Sequence, residues 1–469
     1  MKTYQDLVTL GDNEAARMDF ILAVINEHSS SPLFRVARNA EMYYRHLNPT
    51  IMKAQKFIYD AIGRSVPDIY SANNKIPSRY YFYFVTQEVE HLLGNGVSFS
   101  DMAVKDRLGE KFDEKMSELA VRAINGGVAF GFWNVDHLEV FPVAGFDSPS
   151  FAPIYDEENG ALMAGVRWWS LGAQKPLRCT LYEPDGFTEY IRREGEDITI
   201  LQEKRDYVMV VGRSEVSGVE ILNGYNYPTL PIIPLFNINR QSEIVGGRET
   251  IDAYDLMASA LVNNIDDANL IYWIIKNAGG MDDADDAEFV RRLKTLHVAH
   301  VDGAAGTEIS SHSIEAPFEA NETALKRLRS QLFDDFMALD VKEIASGAVT
   351  ATQIEAAYEP LTSKVDMFEH CVTEFILSLL SLLGIDDKPT YTRSKIANKA
   401  EEIQNLVTAA DYLSADYITG KVLEVMGDID KVVEVKAQRE AEEARRYAAG
   451  QSDEDGDDNS DNFDNGGEV

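Results

Sequence analysis

The chain has 469 residues, with 44 basic and 78 acidic side chains that give a net charge of −34. Apolar residues make up 45%, enough to bury a large core, and the length predicts two to four domains. A charge this negative argues against a protein that wraps nucleic acid by neutralising phosphates.

The longest apolar stretch, residues 375–383, includes two serines and is shorter than the roughly 20 residues that a membrane-spanning helix needs. The N-terminus lacks the apolar segment of a signal peptide. Cys179 and Cys371 are the only cysteines, which indicates no disulfide framework and favours a reducing compartment.

The first 127 residues predict four helices, bounded by capping residues, prolines and glycines. Asp12 or Asn13 can cap the first helix. Pro32 lies near the start of the second, which we expect Asn48-Pro49 to end. The third and fourth are predicted from about Ser78 to Gly94 and from about Gly109 to Gly126-Gly127.

From about residue 128 to 235 the hydrophobic pattern alternates, which is typical of strands. Residues 128–133 and 137–141 predict a strand pair, and Asn159-Gly160 predicts a type I′ hairpin. We expect Pro228, Pro231 and Pro234 to mark the end of this region. Further predicted strands cover residues 179–182, 188–192, 198–201 and 207–211.

Three long helices are predicted next. In the first, apolar or small residues keep a 3-4 spacing over about four heptads, on a helix roughly 40 Å long. Those positions are 251, 254, 258, 261, 265, 268, 272 and 275. The second helix carries Leu325 to Leu339. The third carries Ile354 to Leu382, with a capping box of Thr350 and Gln353, a kink near Pro360 and a stop at Gly384.

A compact insert from about residue 278 to 317 separates the first two long helices. It contains an acidic cluster, an amphipathic helix and two short alternating runs at 297–301 and 307–314. Residues 451–469 contain eight acidic and no basic side chains, and this composition predicts a disordered tail.

No motif for phosphate binding, nucleophilic catalysis or zinc binding is present, so no cofactor is expected. Four acidic pairs leave open a metal-dependent phosphohydrolase. Adjacent residues on a helix diverge by about 100°, however, so the favoured interpretation is a charge bias at a helix N-terminus for residues 282–286 and solvated helix faces for the other pairs. The histidines are expected to be ordinary ones. The residues in question are Asp266-Asp267, Asp282-Asp283, Asp285-Asp286, Asp334-Asp335, His297, His300 and His312.

Basic residues are scarce but form two clusters. Arg291, Arg292 and Lys294 lie in the insert. Lys326, Arg327 and Arg329 lie on the second long helix. Either cluster could contact phosphates or pair with nearby acids, and the sequence leaves both interpretations open.

The order of these elements resembles that of the portal proteins of tailed bacteriophages. The likeness covers about residues 30–450. It is carried by residues 78–97, Ala120–Phe130, Pro153–Asp156, 242–277 and 345–355, together with Pro360.

The resemblance implies a helix-rich α+β subunit of the portal type. Its expected parts are a wing (1–240, β-rich at 128–235), stem helices (241–277 and 318–342), a clip (278–317), a tunnel loop (343–350), a long kinked wing helix (351–384), a crown (385–450) and the acidic tail (451–469).

The resemblance also implies a ring, usually of twelve copies, at one capsid vertex of the virion, assembled in the cytoplasm of the bacterial host. Double-stranded DNA would pass through the ring during packaging and ejection, with no enzymatic activity and no membrane partner. Expected partners are the terminase large subunit, the major capsid and scaffolding proteins, and a head-completion or tail adaptor. A coiled-coil adaptor without a channel is an alternative.

The tunnel loop is expected to face DNA through Lys342, Glu343, Ser346, Gly347, Ala348, Val349 and Thr350. Because Lys342 and Glu343 are adjacent, the loop does not make a simple basic ring. The two basic clusters would then make brief contacts with DNA.

Overall fold

The computed structural model describes residues 2–59, 64–69, 71–172, 174–213, 220–268, 272–276, 308–312, 318–342 and 351–393, together with residues 412–426 and short pieces between 403 and 441. Residues 1–394 form one compact unit and residues 395–469 a second. In the described residues helices predominate and every strand pair is antiparallel, so the predicted helix-rich α+β class is confirmed.

The helices of the first unit are α1 (Tyr4–Thr9), α2 (Glu14–Ser29), α3 (Pro32–Tyr44), α4 (Pro49–Lys53), α5 (Tyr80–Leu93), α6 (Met102–Leu108), α7 (Phe112–Gly126), α8 (Arg248–Ala268), α9 (Phe318–Asp335) and α10 (Ala351–Leu382). The second unit contains α11 (Ala415–Met426).

The strands are β1 (Phe57–Tyr59), β2 (Ser65–Pro67), β3 (Val97–Ser98), β4 (Val128–Asn134), β5 (His137–Pro142), β6 (Ser150–Tyr155), β7 (Leu162–Trp169), β8 (Leu177–Glu183), β9 (Gly186–Arg192), β10 (Ile198–Arg205), β11 (Val208–Arg213), β12 (Glu220–Tyr225), β13 (Ile232–Phe236), β14 (Tyr272–Lys276), β15 (Glu308–His312) and β16 (Thr390–Tyr391).

The four predicted N-terminal helices are present, with one boundary wrong. Asn13 caps α2 by accepting the Ala16 N–H at 3.2 Å, and α7 ends at Gly127, whose φ is 77°. The second helix ends at Tyr44, however, and Pro49 begins α4 instead of ending α3. Proline suits the first turn of a helix because its missing N–H has no partner there anyway.

The β region forms a five-stranded sheet, β10-β9-β8-β7-β6, and a three-stranded sheet, β13-β4-β5. The predicted pairing of β4 with β5 is confirmed, with Phe130 opposite Phe141. The prediction that the prolines end the region is wrong for Pro234, which lies within β13. A proline is tolerated there because β13 is an edge strand of its sheet.

The loop between β6 and β7 is not the predicted two-residue hairpin, because it covers residues 156–161. The Asp156 carboxylate accepts the N–H groups of Glu158 at 2.9 Å and Asn159 at 3.1 Å. Gly160 takes the left-handed conformation, with φ 68°. The side chain of Asp156, at the start of the loop, therefore organises this connection. A two-residue turn does not use such a side chain.

The prediction of one continuous helix over 251–275 is wrong. Helix α8 ends at Ala268, and β14 pairs with β15 so that Ile274 faces Ser310. Residues 272–275 are consecutive aromatic and β-branched residues, which favour a strand, and the heptad spacing counted only two of them. At 1.5 Å per residue, the 21 residues of α8 span about 32 Å.

The third long helix is confirmed, whereas the second is confirmed only up to Asp335. Phe336 and Leu339, which the spacing placed on the second helix, lie beyond its end, where Met337 has a φ of 49°. Helix α10 has 32 residues and continues through Pro360. Gly384, with φ 65°, follows its end. There the N–H of Ile385 binds the carbonyl of Leu380 at 2.9 Å, which is the six-to-one bond of a Schellman cap.

The described residues form three hydrophobic clusters, all in the first unit. The largest joins α5, α7 and α10; the second packs α1 and α2 on the five-stranded sheet; the third is an aromatic cluster between the two sheets. Among the helices that the structure describes, none is long and apolar enough to cross a membrane.

Several predicted features lie outside the described residues. These are most of the insert at 278–317, residues 343–350 with Thr350 of the predicted capping box, and the tail at 451–469. The first unit extends to residue 394, beyond the predicted crown boundary at 385, and β16 pairs there with β3.

Candidate functional site

Helix α8 buries a polar stripe in addition to its apolar seam. Asp255, Ser259 and Asn263 are 0%, 3% and 5% exposed, whereas the seam residue Ile265 is 45% exposed. These three polar residues are four apart and share one face of the helix. A helix that buries polar side chains must give them partners.

The partner is an extended segment, residues 71–79, which we call the strap. Side-chain oxygens of α8 accept backbone N–H groups of the strap one after another along the helix. The bonds are Ser78 N–H to Asp255 at 2.9 Å, Ile76 N–H to Ser259 at 3.0 Å and Asn74 N–H to Asn263 at 2.6 Å. The strap thus takes its backbone hydrogen bonds from a helix face instead of a strand.

The first turn of α8 is held by the N-terminal helices. Asp252 accepts the hydroxyl of Tyr43 at 2.5 Å and that of Thr50 at 2.8 Å. Burial, followed by the hydrogen bond to Asp252, raises the pKa of Tyr43 far above its usual range. The hydroxyl therefore stays protonated and remains a donor.

A second group of contacts fixes the residues after α9, which lead into residues 343–350. We call residues 336–342 the loop anchor. The Gln87 side chain binds both main-chain groups of Leu339, with its oxygen on the N–H at 2.8 Å and its nitrogen on the carbonyl at 3.1 Å. Tyr83 also donates to that carbonyl, at 3.2 Å.

An ion pair completes the loop anchor. The Asp340 carboxylate accepts hydrogen bonds from two nitrogens of Arg329, one of them at 2.8 Å, and from the N–H of Lys342 at 3.0 Å. Although burial opposes this, the hydrogen bond from Arg329 lowers the pKa of Asp340. The Arg329 guanidinium also lies over the Phe333 ring, 4.8 Å from its centroid.

A buried lysine joins the loop anchor to helices α5 and α10. Lys364 on α10 is 7% exposed, and its Nζ lies 2.7 Å from Glu88 Oε2 and against Glu243. It also donates to the Phe336 carbonyl at 3.0 Å. This ion triad (Lys364, Glu88 and Glu243) therefore links α5 and α10 to the segment before α8, and the bond to Phe336 links it to the segment after α9.

The triad holds one cation between two carboxylates. Burial, followed by the charge of Glu243, raises the pKa of Glu88 to about 8. The pKa of Lys364 is raised because the two carboxylates outweigh its burial. Burial and the second carboxylate therefore favour the protonated form of Glu88.

Some of the predicted basic residues form ion pairs with acidic side chains in the structure. Lys326 pairs with Glu322 at 2.7 Å, and Arg329 pairs with Asp340, as the salt-bridge interpretation expects. Arg327 and Lys342 are exposed. The remaining predicted site residues lie outside the described part of the chain: Arg291, Arg292, Lys294, Glu343, Ser346, Gly347, Ala348, Val349 and Thr350.

Two of the acidic pairs take structural roles where they are described. Asp266 accepts the side-chain amide of Asn74 at 2.5 Å, and Asp335 accepts the Thr250 hydroxyl at 2.8 Å. In the described residues, no group of three His, Cys, Asp or Glu side chains could hold a metal ion. Asp282 to Asp286, His297 and His300 lie outside those residues.

The sequence interpretation missed the strap contacts and the ion triad. The polar residues of α8 also keep a 3-4 spacing, at positions 252, 255, 259, 263 and 266. This spacing indicates a second, polar face of the helix. Lys364 lies within an apolar helical pattern, which is a detectable signal. Nothing in the sequence pointed to Glu88 and Glu243 as its partners.

The chain is similar in sequence to known proteins over most of its length. The family model described as phage portal protein, SPP1 Gp6-like, matches residues 22–454. The portal protein of Bacillus phage SPP1 is 24% identical over 86% of this chain and 82% of its own length. The portal protein of Clostridium phage phiCD119 is 23% identical over 77% of this chain and 83% of its own.

Solved structures give a weaker likeness. A chain from the virion of a native gene transfer agent particle has a TM-score of 0.42 at 14% identity, covering 73% of this chain and 89% of that one. A chain from the neck of that particle, computed with C12 symmetry, has a TM-score of 0.38 at 13% identity, with the same coverage. The sequence matches extend over most of the chain, which therefore belongs to the SPP1 Gp6-like family of phage portal proteins.

Proposed function

We propose that this portal protein assembles into a ring, of twelve copies in the expected case, and that double-stranded DNA passes through the ring during packaging and ejection. The family match over residues 22–454 carries the proposal. The ring would occupy one capsid vertex of the virion and be assembled in the cytoplasm of the host bacterium.

The charge of the chain supports a conduit. Twelve copies at −34 each carry −408. Duplex DNA carries one charge per about 1.7 Å, and a wall rich in Lys and Arg would bind its phosphates and slow its movement. A mostly acidic wall, screened beyond about 8 Å at physiological salt, lets DNA move without tight binding.

The surface of α8 supports side-by-side packing of copies. Leu256 and Ile265 are 43% and 45% exposed on a helix whose polar stripe is covered by the strap. Exposed apolar side chains along a helix are a common basis for helix association in a ring.

Residues 343–350 are proposed to form the tunnel loop that touches DNA. The loop anchor supports this role, because Gln87, Arg329 and Lys364 fix residues 336–340 from three directions. A rigid base lets a short loop hold its position against a moving polymer. The basic residues of the stem and clip, including Arg327, would add brief contacts.

Deletion of residues 344–348 tests this role. We expect rings of unchanged size by negative-stain microscopy, with DNA packaging or retention reduced at least tenfold. Replacement of the same five residues by Gly and Ser is the control for loop length. Normal packaging by the deletion variant would contradict a DNA-facing loop.

We further propose that the clip, residues 278–317, docks the terminase large subunit and later a head-completion or tail adaptor. The wing would contact the major capsid and scaffolding proteins.

The protein itself would carry out no reaction. Cleavage of DNA by the purified chain with added Mg²⁺ or Mn²⁺ would contradict the absence of enzymatic activity. Negative-stain images of the purified protein that show no central hole would favour the coiled-coil adaptor.

A further inference from the structure

One segment of this acidic chain is basic. Residues 53–79, which we call the arm, contain the strands β1 and β2 and the strap. The arm has five basic and two acidic side chains, a net charge of +3. The remaining residues have 39 basic and 76 acidic side chains, a net charge of −37.

The arm also exposes large apolar side chains. Phe57 is 60% exposed, Ile69 80% and Ile76 40%. Strands β1 and β2 pair only with each other within the described part of the chain, over three residue pairs, so each has an open outer edge. A two-stranded hairpin this short is marginally stable in water and gains stability from a further packing surface.

The strap fixes where the arm lies. Its hydrogen bonds to Ser259 and Asn263 hold residues 74–76 against the second half of α8. The hairpin β1–β2 is therefore attached at the level of the stem. If copies lie side by side in the proposed ring, the surface of another copy that we expect at that level is the stem of the next copy.

The stem helices are acidic. Together α8 and α9 contain four basic and nine acidic side chains, a net charge of −5. Glu319 and Asp334 are exposed on α9. Their charge is opposite to that of the arm.

We infer that the arm of one copy docks on stem helices α8 and α9 of the neighbouring copy, so that Phe57 and Ile69 become buried and the basic residues of the arm meet the acidic stem. This inference rests on the proposed ring. A DNA contact would use the positive charge of the arm but not its exposed Phe57 and Ile69, so a second copy of this chain is the better fit.

Substitution of the apolar residues tests the contact. We expect Phe57→Ser with Ile69→Ser to lower the association constant of each subunit interface at least tenfold, measured by sedimentation velocity and native mass spectrometry. Both side chains are largely exposed, so the melting temperature of the unassembled chain should not change. Leu171→Ser, at an 86% exposed site in the β7–β8 loop, is the matched control and should assemble normally.

Charge reversal tests the electrostatic part. Lys53→Glu should weaken assembly more at 50 mM than at 500 mM salt, because screening removes the interaction. Lys175→Glu, at an exposed site in the β7–β8 loop, is its control. Equal effects of the two variants would overturn the charge complementarity.

A photo-crosslinking residue at position 69 tests the location. In rings assembled from isotopically light and heavy copies, we expect mixed light–heavy cross-links to α8 or α9. Cross-links only within one copy, or to DNA in filled particles, would overturn the inference while the rings themselves persist. A wild-type chain that forms no rings would instead refute the proposed function, and this inference with it.

Discussion

Lys364 shows how a single buried charge can organise several elements. It binds Glu88 of α5, Glu243 before α8 and the Phe336 carbonyl after α9. Removing one member of such a group leaves the others buried without compensation, which costs more than the net gain from the intact group. We therefore infer that the ion triad fixes the positions of α5, α10 and the segments next to α8 and α9 relative to one another.

The raised pKa of Glu88 predicts a pH dependence of stability. The folded chain holds this proton up to about pH 8, whereas the unfolded chain releases it near the ordinary Glu value of about 4.3. The stabilisation is complete below the unfolded pKa and is lost as pH rises through the folded one. One such proton makes stability fall by up to about 1.4 kcal/mol per pH unit between those values.

Glu88→Gln should flatten this dependence, because glutamine resembles the protonated acid. We expect urea unfolding midpoints close to wild type at pH 5 and above wild type at pH 9. Glu90→Gln, an exposed position on the same helix, is the control and should keep the wild-type slope. A Glu88→Gln variant with the wild-type slope would contradict the assignment of the proton.

At the scale of elements, α8 with its strap was only partly predictable. The 3-4 spacing correctly predicted the helix and its apolar seam up to residue 268. The strap was missed because it has neither a helical nor an alternating pattern: it is held by side chains far along the chain. The strand at 272–276 was missed because its apolar residues also satisfied a heptad, and only pairing with 308–312 decides between the two.

Ser259→Ala should loosen the strap. The N–H of Ile76 would lose its acceptor at a part-buried position, at a cost of about 1 kcal/mol. We expect faster amide hydrogen exchange at residues 74–78 and little change elsewhere. Ser378→Ala is the control, since the Ser378 hydroxyl bonds only within its own helix, to the Glu374 carbonyl at 2.8 Å.

Gly127→Ala should be more harmful than an ordinary glycine substitution. Both Gly127 and Gly160 have positive φ, which costs an alanine about 1 kcal/mol. At Gly127 a Cβ would also meet the backbone of residues 240–242 at 3.1 Å, whereas at Gly160 it would meet nothing within 4 Å. We expect Gly127→Ala to lower the free energy of unfolding by at least about 1 kcal/mol more than Gly160→Ala.

At the scale of the whole molecule, most of the longer helices and strands were predictable because each is bounded by a local signal such as Asn13, Pro32 or Gly127. The short elements α1, α4, α6 and β1 to β3 and the strand β14 were not predicted. The family resemblance over residues 30–450 is confirmed by the match over 22–454. The ion triad and the contact of Gln87 with Leu339 were not predictable, because they join residues more than 100 positions apart.

The three hydrophobic clusters predict that residues 1–394 fold without the rest of the chain, since every cluster lies within them. A chain ending at residue 394 should melt within about 3 °C of the full chain by circular dichroism. A chain ending at 384 is the comparison and should melt lower. It lacks β16 and Arg393, which pairs with Asp366 and Glu369.

The way Gln87 binds Leu339 has a consequence for variation among relatives. Both of its bonds go to main-chain atoms, which every amino acid supplies except for the N–H of proline. The attachment of Leu339 to Gln87 therefore does not depend on the side chains that follow Leu339. A relative that carries glutamine at this position should therefore keep the same attachment even where the residues after 342 differ in length or composition.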